Sequence, residues 1–485
     1  MNRIGPALAA ILVYLVLPVS TAAQTGADSP DTAKTFQQAV ARYRAGDHPG
    51  ALSIFEELRT KTPEDALVHN WIGFILILTD RHQEAVKPLQ EAVRLKPKYP
   101  EAWTNLGNAL MVARGPAEAV VAFRKAVELS PRSAASRQNL GAAYWKLGRT
   151  AEAAAEFRTA ANLKPGDAGA WNNLGCALQS LKDHKGAVSA FRKAAAADVG
   201  NAVYWTNLGV TLNEMGRPRD ARSPLETAVK KDPKNVASRV ALSEALMGLR
   251  AYKEAITHLE AARLLAPDDF AVSYNLGLAR WRTRDLALAA DAYEHARKVN
   301  PSNIETLAAL VRLYPAIGKN DEAVAACRSW INLRPDDAAA RIHLGNLLNS
   351  AGDRAGAAGA WEDALVRAPK RIDVRLRLAA HYLSIGDNAA AERHYRKTLA
   401  QEAQNALALN GLGLILDARG KTDEAADCFR RSVKSNPRLA AAHNNLGVCL
   451  ERLGDAAGAR RAYEQALKVD PRFADARKNL DRLKP

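Results

Sequence analysis

From residue 32 onward, apolar residues return at spacings of three and four rather than two. In the stretch that begins at Pro100, Trp103, Leu106, Gly107 and Leu110 fall on one face of a helix. Ala119, Phe123 and Ala126 fall on the face of a second helix. Arg114-Gly115 breaks the pattern between them, and Pro131 ends the second helix while opening the next stretch. The spacing predicts a helical hairpin. Gly107 and Ala119 are small where the helices cross, so the backbones can approach closely, and Phe123 fills the space beside them.

The hairpin recurs on a 34-residue period. Alanine holds every 34th position from Ala51 through Ala255 to Ala459, and proline follows its own grid from Pro63 to Pro471, with Val199 and Ala403 at its two empty points. Residues 32–473 hold thirteen such units without insertion or deletion. One hairpin cannot bury its apolar face alone, so neighbours must stack and share a continuous core. The expected fold is an all-α superhelical solenoid of stacked helix-turn-helix units. Residues 474–485, with Leu480 and Leu483 among Arg477, Lys478, Arg482 and Lys484, suit a short helix that covers the last apolar face and faces solvent.

Trp103-Thr104-Asn105-Leu106-Gly107, with Leu110, Ala119, Phe123, Ala126 and Pro131, resembles a tetratricopeptide repeat. Trp171-Asn172-Asn173-Leu174-Gly175 and Trp205-Thr206-Asn207-Leu208-Gly209 repeat the pattern. The resemblance covers about nine tenths of the chain and implies a binding scaffold without naming its ligand. The first unit departs from it with Gln38-Ala39 where others have Leu-Gly, as suits a terminal cap. The ninth departs with Pro315 inside its first helix, which should cost a helical hydrogen bond and kink the stack, and with Cys327 where an aromatic is usual.

The lead segment reads differently. Met1-Asn2-Arg3 is basic, Ile4 to Val19 is apolar and uncharged, and Ser20-Thr21-Ala22-Ala23 is small, the order of a secretory signal peptide. We expect residues 1–23 to direct export to a periplasmic or extracellular site and 24–31 to form a flexible lead-in. The alternative is an uncleaved membrane anchor, which the short run punctuated by Pro6 and Pro18 disfavours.

Length alone, 485 residues, would suggest about three globular domains; the single period replaces that expectation. The chain carries 68 Lys and Arg against 52 Asp and Glu, a net charge of +16. No phosphate-binding loop, zinc-protease motif, nucleophile elbow or C-x-x-C is present, and the ten histidines are scattered over different units, so we expect no enzyme activity, cofactor or metal. Some glycosyltransferases resemble such an array at one end but carry a separate catalytic domain, for which no non-repeat segment here is long enough. Of the four cysteines, only Cys428 and Cys449 lie in adjacent units and could bridge; buried thiols are the expected state.

In the resembled family the first helices line the concave face, and the residue before Leu-Gly points into it. That position holds Asn105, Asn139, Asn173 and Asn207 in four successive units, then Asn275 and Asn445. A primary amide can grip a peptide unit through both its N–H and its C=O. Asn108, Asn172, Asn213, Asn346 and Asn349 add amides expected on the same face, and Trp145 and Trp281 could stack on a ligand chain or sugar. The opposite reading is that these asparagines are family consensus and the tryptophans are packing. Phe36, Tyr43, Trp71 and Phe74 read as cap packing first and as an apolar ligand pocket second.

The family's clamp for terminal carboxylates is not expected, because Thr104, Gln138, Asn172 and Thr206 stand where its first lysine belongs. Arg312, His343 and Arg377 make the later groove mildly basic. Arg124-Lys125, Arg158, Arg192-Lys193, Arg396-Lys397 and Arg430-Arg431 fall on second helices, a solvated surface or an attraction for an anionic membrane, polymer or protein. Nucleic acid is not expected as a partner. The expectation is a non-enzymatic scaffold of the bacterial envelope that binds protein segments in its groove; the alternative is a module for carbohydrate or envelope polymer that assists export.

Overall fold

The computed structural model describes residues 30–483, so the signal-peptide and lead-in expectations lie outside the described residues. The described chain forms α-helices, with one 3-10 turn, and among the described residues no strand is present. Each unit contributes a first (A) helix, usually 13 residues, and a second (B) helix of 14; the third unit, for example, has Pro100–Ala113 and Pro116–Leu129. From the second unit on, every A helix begins three residues after a position of the proline grid, as at Ala66 after Pro63 and Pro100 after Pro97.

The helices form two compact bodies. The first runs to Asp285 and holds seven hairpins and the A helix of the eighth unit, Phe270–Arg282. The second starts at Leu286 and holds the eighth B helix, five further hairpins and a terminal helix, Ala474–Arg482, which packs on the preceding hairpin. Within each body an A helix packs on its own B helix, the B helix packs on the next A helix, and several neighbouring A helices also touch one another directly.

Local chemistry sets the ends of the helices. Asp65, Asp167, Asp269, Asn201 and Asn235 each precede an A helix and accept a backbone N–H of its first turn, satisfying a donor that the helix leaves without a partner. The A–B turn needs a left-handed residue, supplied by glycine at Gly148 (φ 75°) but by Lys182 (φ 62°) in the fifth unit. A third contact recurs regardless of residue type. The fourth residue of an A helix donates to the carbonyl six residues earlier: Trp103 to Pro97, Trp171 to Pro165, Arg137 to Pro131 and Arg239 to Pro233, all at 2.7–2.9 Å. Tryptophan and arginine are interchangeable there because the bond asks only for an N–H on a long side chain.

The hairpin core is close-packed around the small residues. A Cβ added at Gly107 would lie 2.4 Å from the Phe123 ring, and at Gly175 it would lie 2.5 Å from Phe191; both rings are fully buried. Pro315 acts as expected on its own helix. The ninth A helix stops at Leu313, and Tyr314–Ile317 continues as a 3-10 turn, which does without the bond that proline cannot donate. Cys327 replaces the aromatic beside it and lies 3.0 Å from the Ala340 carbonyl.

Candidate functional site

The asparagine row is where the structure corrects the sequence reading. Asn105, Asn108, Asn139, Asn172, Asn173 and Asn207 are all buried, and Asn105 and Asn139 expose no surface at all. Their amides turn toward the preceding A helix rather than outward. Asn105 donates to Asn70 at 3.1 Å, Asn139 to Asn108 at 3.0 Å and Asn207 to Asn172 at 2.9 Å. In the second body Asn445 donates to Asn410 at 3.1 Å and Asn479 to Asn444 at 3.0 Å. Asn70 in turn donates to the Tyr99 hydroxyl at 2.9 Å.

The physical reason is the direct contact between A helices. It takes the residue before Leu-Gly out of water, and the buried amides of Asn105, Asn139 and Asn207 pair instead with the preceding unit. The row is a seam between units, and it does not present these amides to a ligand. Asn173 is buried with its Nδ2 unpartnered. Trp145 is partly buried against the core, Trp281 is half-buried at the end of its helix, and Phe36, Phe55, Trp71 and Phe74 are buried against one another with ring centroids 5.3–6.5 Å apart. That cluster is cap packing.

Two predicted residues, Asn213 and Asn275, border open space. They line a cavity of about 520 Å³ in the first body, between the A helices of the sixth, seventh and eighth units: Ala202–Glu214, Val236–Gly248 and Phe270–Arg282. Val210, Met247, Phe270 and Leu278 supply its apolar wall, and Asn213, Glu214, Glu244, Tyr274 and Asn275 its polar groups. This size falls within the range of ligand pockets, roughly 300–1,000 Å³. Phe270 and Tyr274 stack at 5.7 Å, tilted by 23°, one turn apart on the same helix.

Sequence reading missed most of these residues although their signal was present. Glu244 stands at the repeat position of Asn108 four units on, Met247 at that of Trp145 three units on, and Leu278 one unit after Glu244. The same repeat positions recur here, with a carboxylate and apolar side chains in place of amides and tryptophan.

The electrostatics follow from burial. Burial pushes the Glu244 carboxyl above its ordinary value, nearby Glu214 adds to this, and the hydrogen bond from Asn275 at 3.4 Å opposes it. Glu214 accepts from Gln179 at 2.8 Å and has His184 Nδ1 at 3.7 Å. Asn213 donates to the Ala241 carbonyl at 2.9 Å, while its own Oδ1 is buried without a partner.

In the second body Arg312, His343 and Arg377 stand on A helices. Arg312 and Arg377 are exposed, and Arg377 donates to Asn346, which also accepts from Trp361 at 3.2 Å. Burial and Arg312 together push His343 below its ordinary value. The basic residues of the B helices are largely exposed; Lys125 pairs with Glu128 and Arg396 with Glu392.

Among the described residues no cluster of histidine, cysteine or acidic side chains could hold a metal ion, and no helix is long and apolar enough to cross a membrane. All four cysteines are buried and unbridged. The site's chemistry is that of recognition: a half-apolar hollow with carboxylates and amides along its rim.

Models of the tetratricopeptide repeat match residues 36–100, 104–168, 143–202, 308–371, 376–437 and 416–475, and a second such model matches 212–276. The Protein CTR9 homolog of Arabidopsis thaliana is 36% identical over 85 residues, which is 17% of this chain and 8% of that protein's length. Among solved structures, the chain is similar to YrrB, described as a TPR protein with an unusual peptide-binding site, at 23% identity over 39% of this chain and 98% of that one, with a TM-score of 0.36. It is also similar to MamA, at 25% identity over 35% of this chain and 93% of that one, with a TM-score of 0.33.

Proposed function

The chain belongs to the tetratricopeptide repeat family, and from that premise we propose that it is a non-enzymatic interaction scaffold whose A helices receive an extended segment of a partner protein. The observation that carries this reading is the cavity of about 520 Å³ shared by three consecutive A helices, because a stack of hairpins has no packing need to leave such a hollow between groove positions. Its mixed lining suits a peptide, whose backbone offers hydrogen bonds and whose side chains bury apolar surface.

The reading of residues 1–23 as an export signal supports a place in the bacterial envelope. The envelope-polymer alternative keeps the exposed basic B helices in its favour but loses the amide row on which it mainly rested.

The test is cross-linking capture from envelope extract by the full chain beside Ala271→Trp, a substitution that fills the cavity from its rim. Partners captured by the first and lost by the second support the reading; equal capture by both refutes it. Mass spectrometry of the protein recovered from fractionated cells tests export, with a new N-terminus at Gln24 as the expected result. Replacing Asn105, Asn139, Asn173 and Asn207 together would not serve, because three of them, Asn105, Asn139 and Asn207, join the units.

A further inference from the structure

The cavity between the sixth, seventh and eighth A helices holds two carboxylates and no cation. Glu214 and Glu244 line it, and none of the other residues that line it is lysine, arginine or histidine. Neither carboxylate is paired with a lysine or arginine. Glu214 has Gln179 and the more distant His184, and Glu244 has one long bond from Asn275. This is not for want of cations. The chain has sixteen more basic than acidic residues, and acids elsewhere take them routinely, as in Arg137–Glu156, Arg280–Glu260 and Arg452–Asp417. A carboxylate desolvated without a partner is costly, and that cost is recovered when a cation arrives from outside.

The wall narrows the choice of cation. The stacked Phe270 and Tyr274 rings present an aromatic surface beside the acids, and Val210, Met247 and Leu278 continue it as an apolar one. An ammonium is compact and strongly hydrated. A guanidinium is planar, weakly hydrated, forks onto carboxylates and lies flat on aromatic rings. Resting on the groove-binding reading above, we infer that the cavity takes an arginine side chain of an extended protein segment, with its guanidinium at Glu214 and Glu244 and an apolar neighbour against Met247, Phe270 and Leu278. Phosphate-bearing and acidic ligands are repelled by the same pair.

The test uses the full chain against an arrayed library of random heptapeptides at physiological salt, followed by titration of the best binder. Enrichment of arginine beside leucine or an aromatic is expected. Replacing that arginine with citrulline, which keeps the shape and removes the charge, should weaken binding about tenfold or more. Glu214→Gln with Glu244→Gln should weaken the arginine peptide to the same degree and leave the citrulline peptide unchanged, with an unaltered circular dichroism spectrum as the control for folding. Equal binding of the two peptides, or selection of acidic or purely apolar sequences that Ala271→Trp abolishes, overturns the arginine inference and leaves the groove reading standing. Failure to select any peptide whose binding Ala271→Trp removes overturns both.

Discussion

Replacing Asn207 with alanine separates the two roles an asparagine could have at that position. Asn207 is buried and donates to Asn172 Oδ1 at 2.9 Å across the junction of the fifth and sixth units. The substitution removes one intramolecular hydrogen bond and strands a buried carbonyl oxygen. A bond of this kind contributes about 1 kcal/mol net, and a stranded buried acceptor costs about 1–3 kcal/mol. We therefore expect Asn207→Ala to destabilise the first body by about 1–3 kcal/mol. Asn172→Ala should cost a similar amount, since it strands the Asn207 amide instead. The double variant should cost less than the sum, with a coupling energy of about 1 kcal/mol, because the second change removes the stranded partner of the first. Hydrogen exchange read by mass spectrometry over 168–180 and 202–214 suits a stack whose units open locally, where a single global transition is not assured. Unchanged protection in the single variants, or costs that add without coupling, would refute the seam and restore the asparagines to ligand binding.

Three further outcomes follow. A Cβ at Gly141 would lie 2.7 Å from the fully buried Phe157 ring, so Gly141→Ala should cost about 1–3 kcal/mol by overpacking in a chemical denaturation curve, and a neutral effect would mean that the hairpin is looser than described. The Glu244 carboxyl is held above the ordinary glutamate value of 4.5, so the folded protein binds that proton more tightly than the unfolded chain; the resulting stabilisation is complete below 4.5 and is lost as pH rises through the folded value. Thermal melts should therefore show Glu244→Gln more stable than the parent near pH 7, with the advantage vanishing toward pH 4, and the opposite order would refute burial as the cause. Burial pushes the thiols of Cys176, Cys327 and Cys449 up to about 12 and raises that of Cys428 as well, so a disulfide-exchange reagent at pH 8 should find little reactive thiol in the native chain and four in denaturant; two in denaturant would show that a pair had bridged.

The period, the hairpin and the family were all legible in the chain itself. Alanine, glycine and proline on a fixed grid leave little choice when each hairpin must bury the same face against the next. Glycine opposite an aromatic is likewise a local requirement: the Gly107–Phe123 and Gly175–Phe191 contacts could be anticipated from spacing, because two helices joined by a short turn can cross in few ways. Even the shortened ninth A helix was written into Pro315, whose missing donor acts on its own turn.

What spacing could not decide was the depth of each A-helix residue. Asn207 and Asn275 occupy the same repeat position, yet one is sealed against Asn172 and the other borders a cavity beside Glu244. The difference depends on which side chain the preceding A helix offers, Asn172 to Asn207 and Glu244 to Asn275, and that is set by residues about one repeat away. Periodicity identifies the residues that share a face. Only the packed neighbours determine whether that face meets another helix, where an amide must pair to stay buried, or a hollow, where a carboxylate can await a ligand.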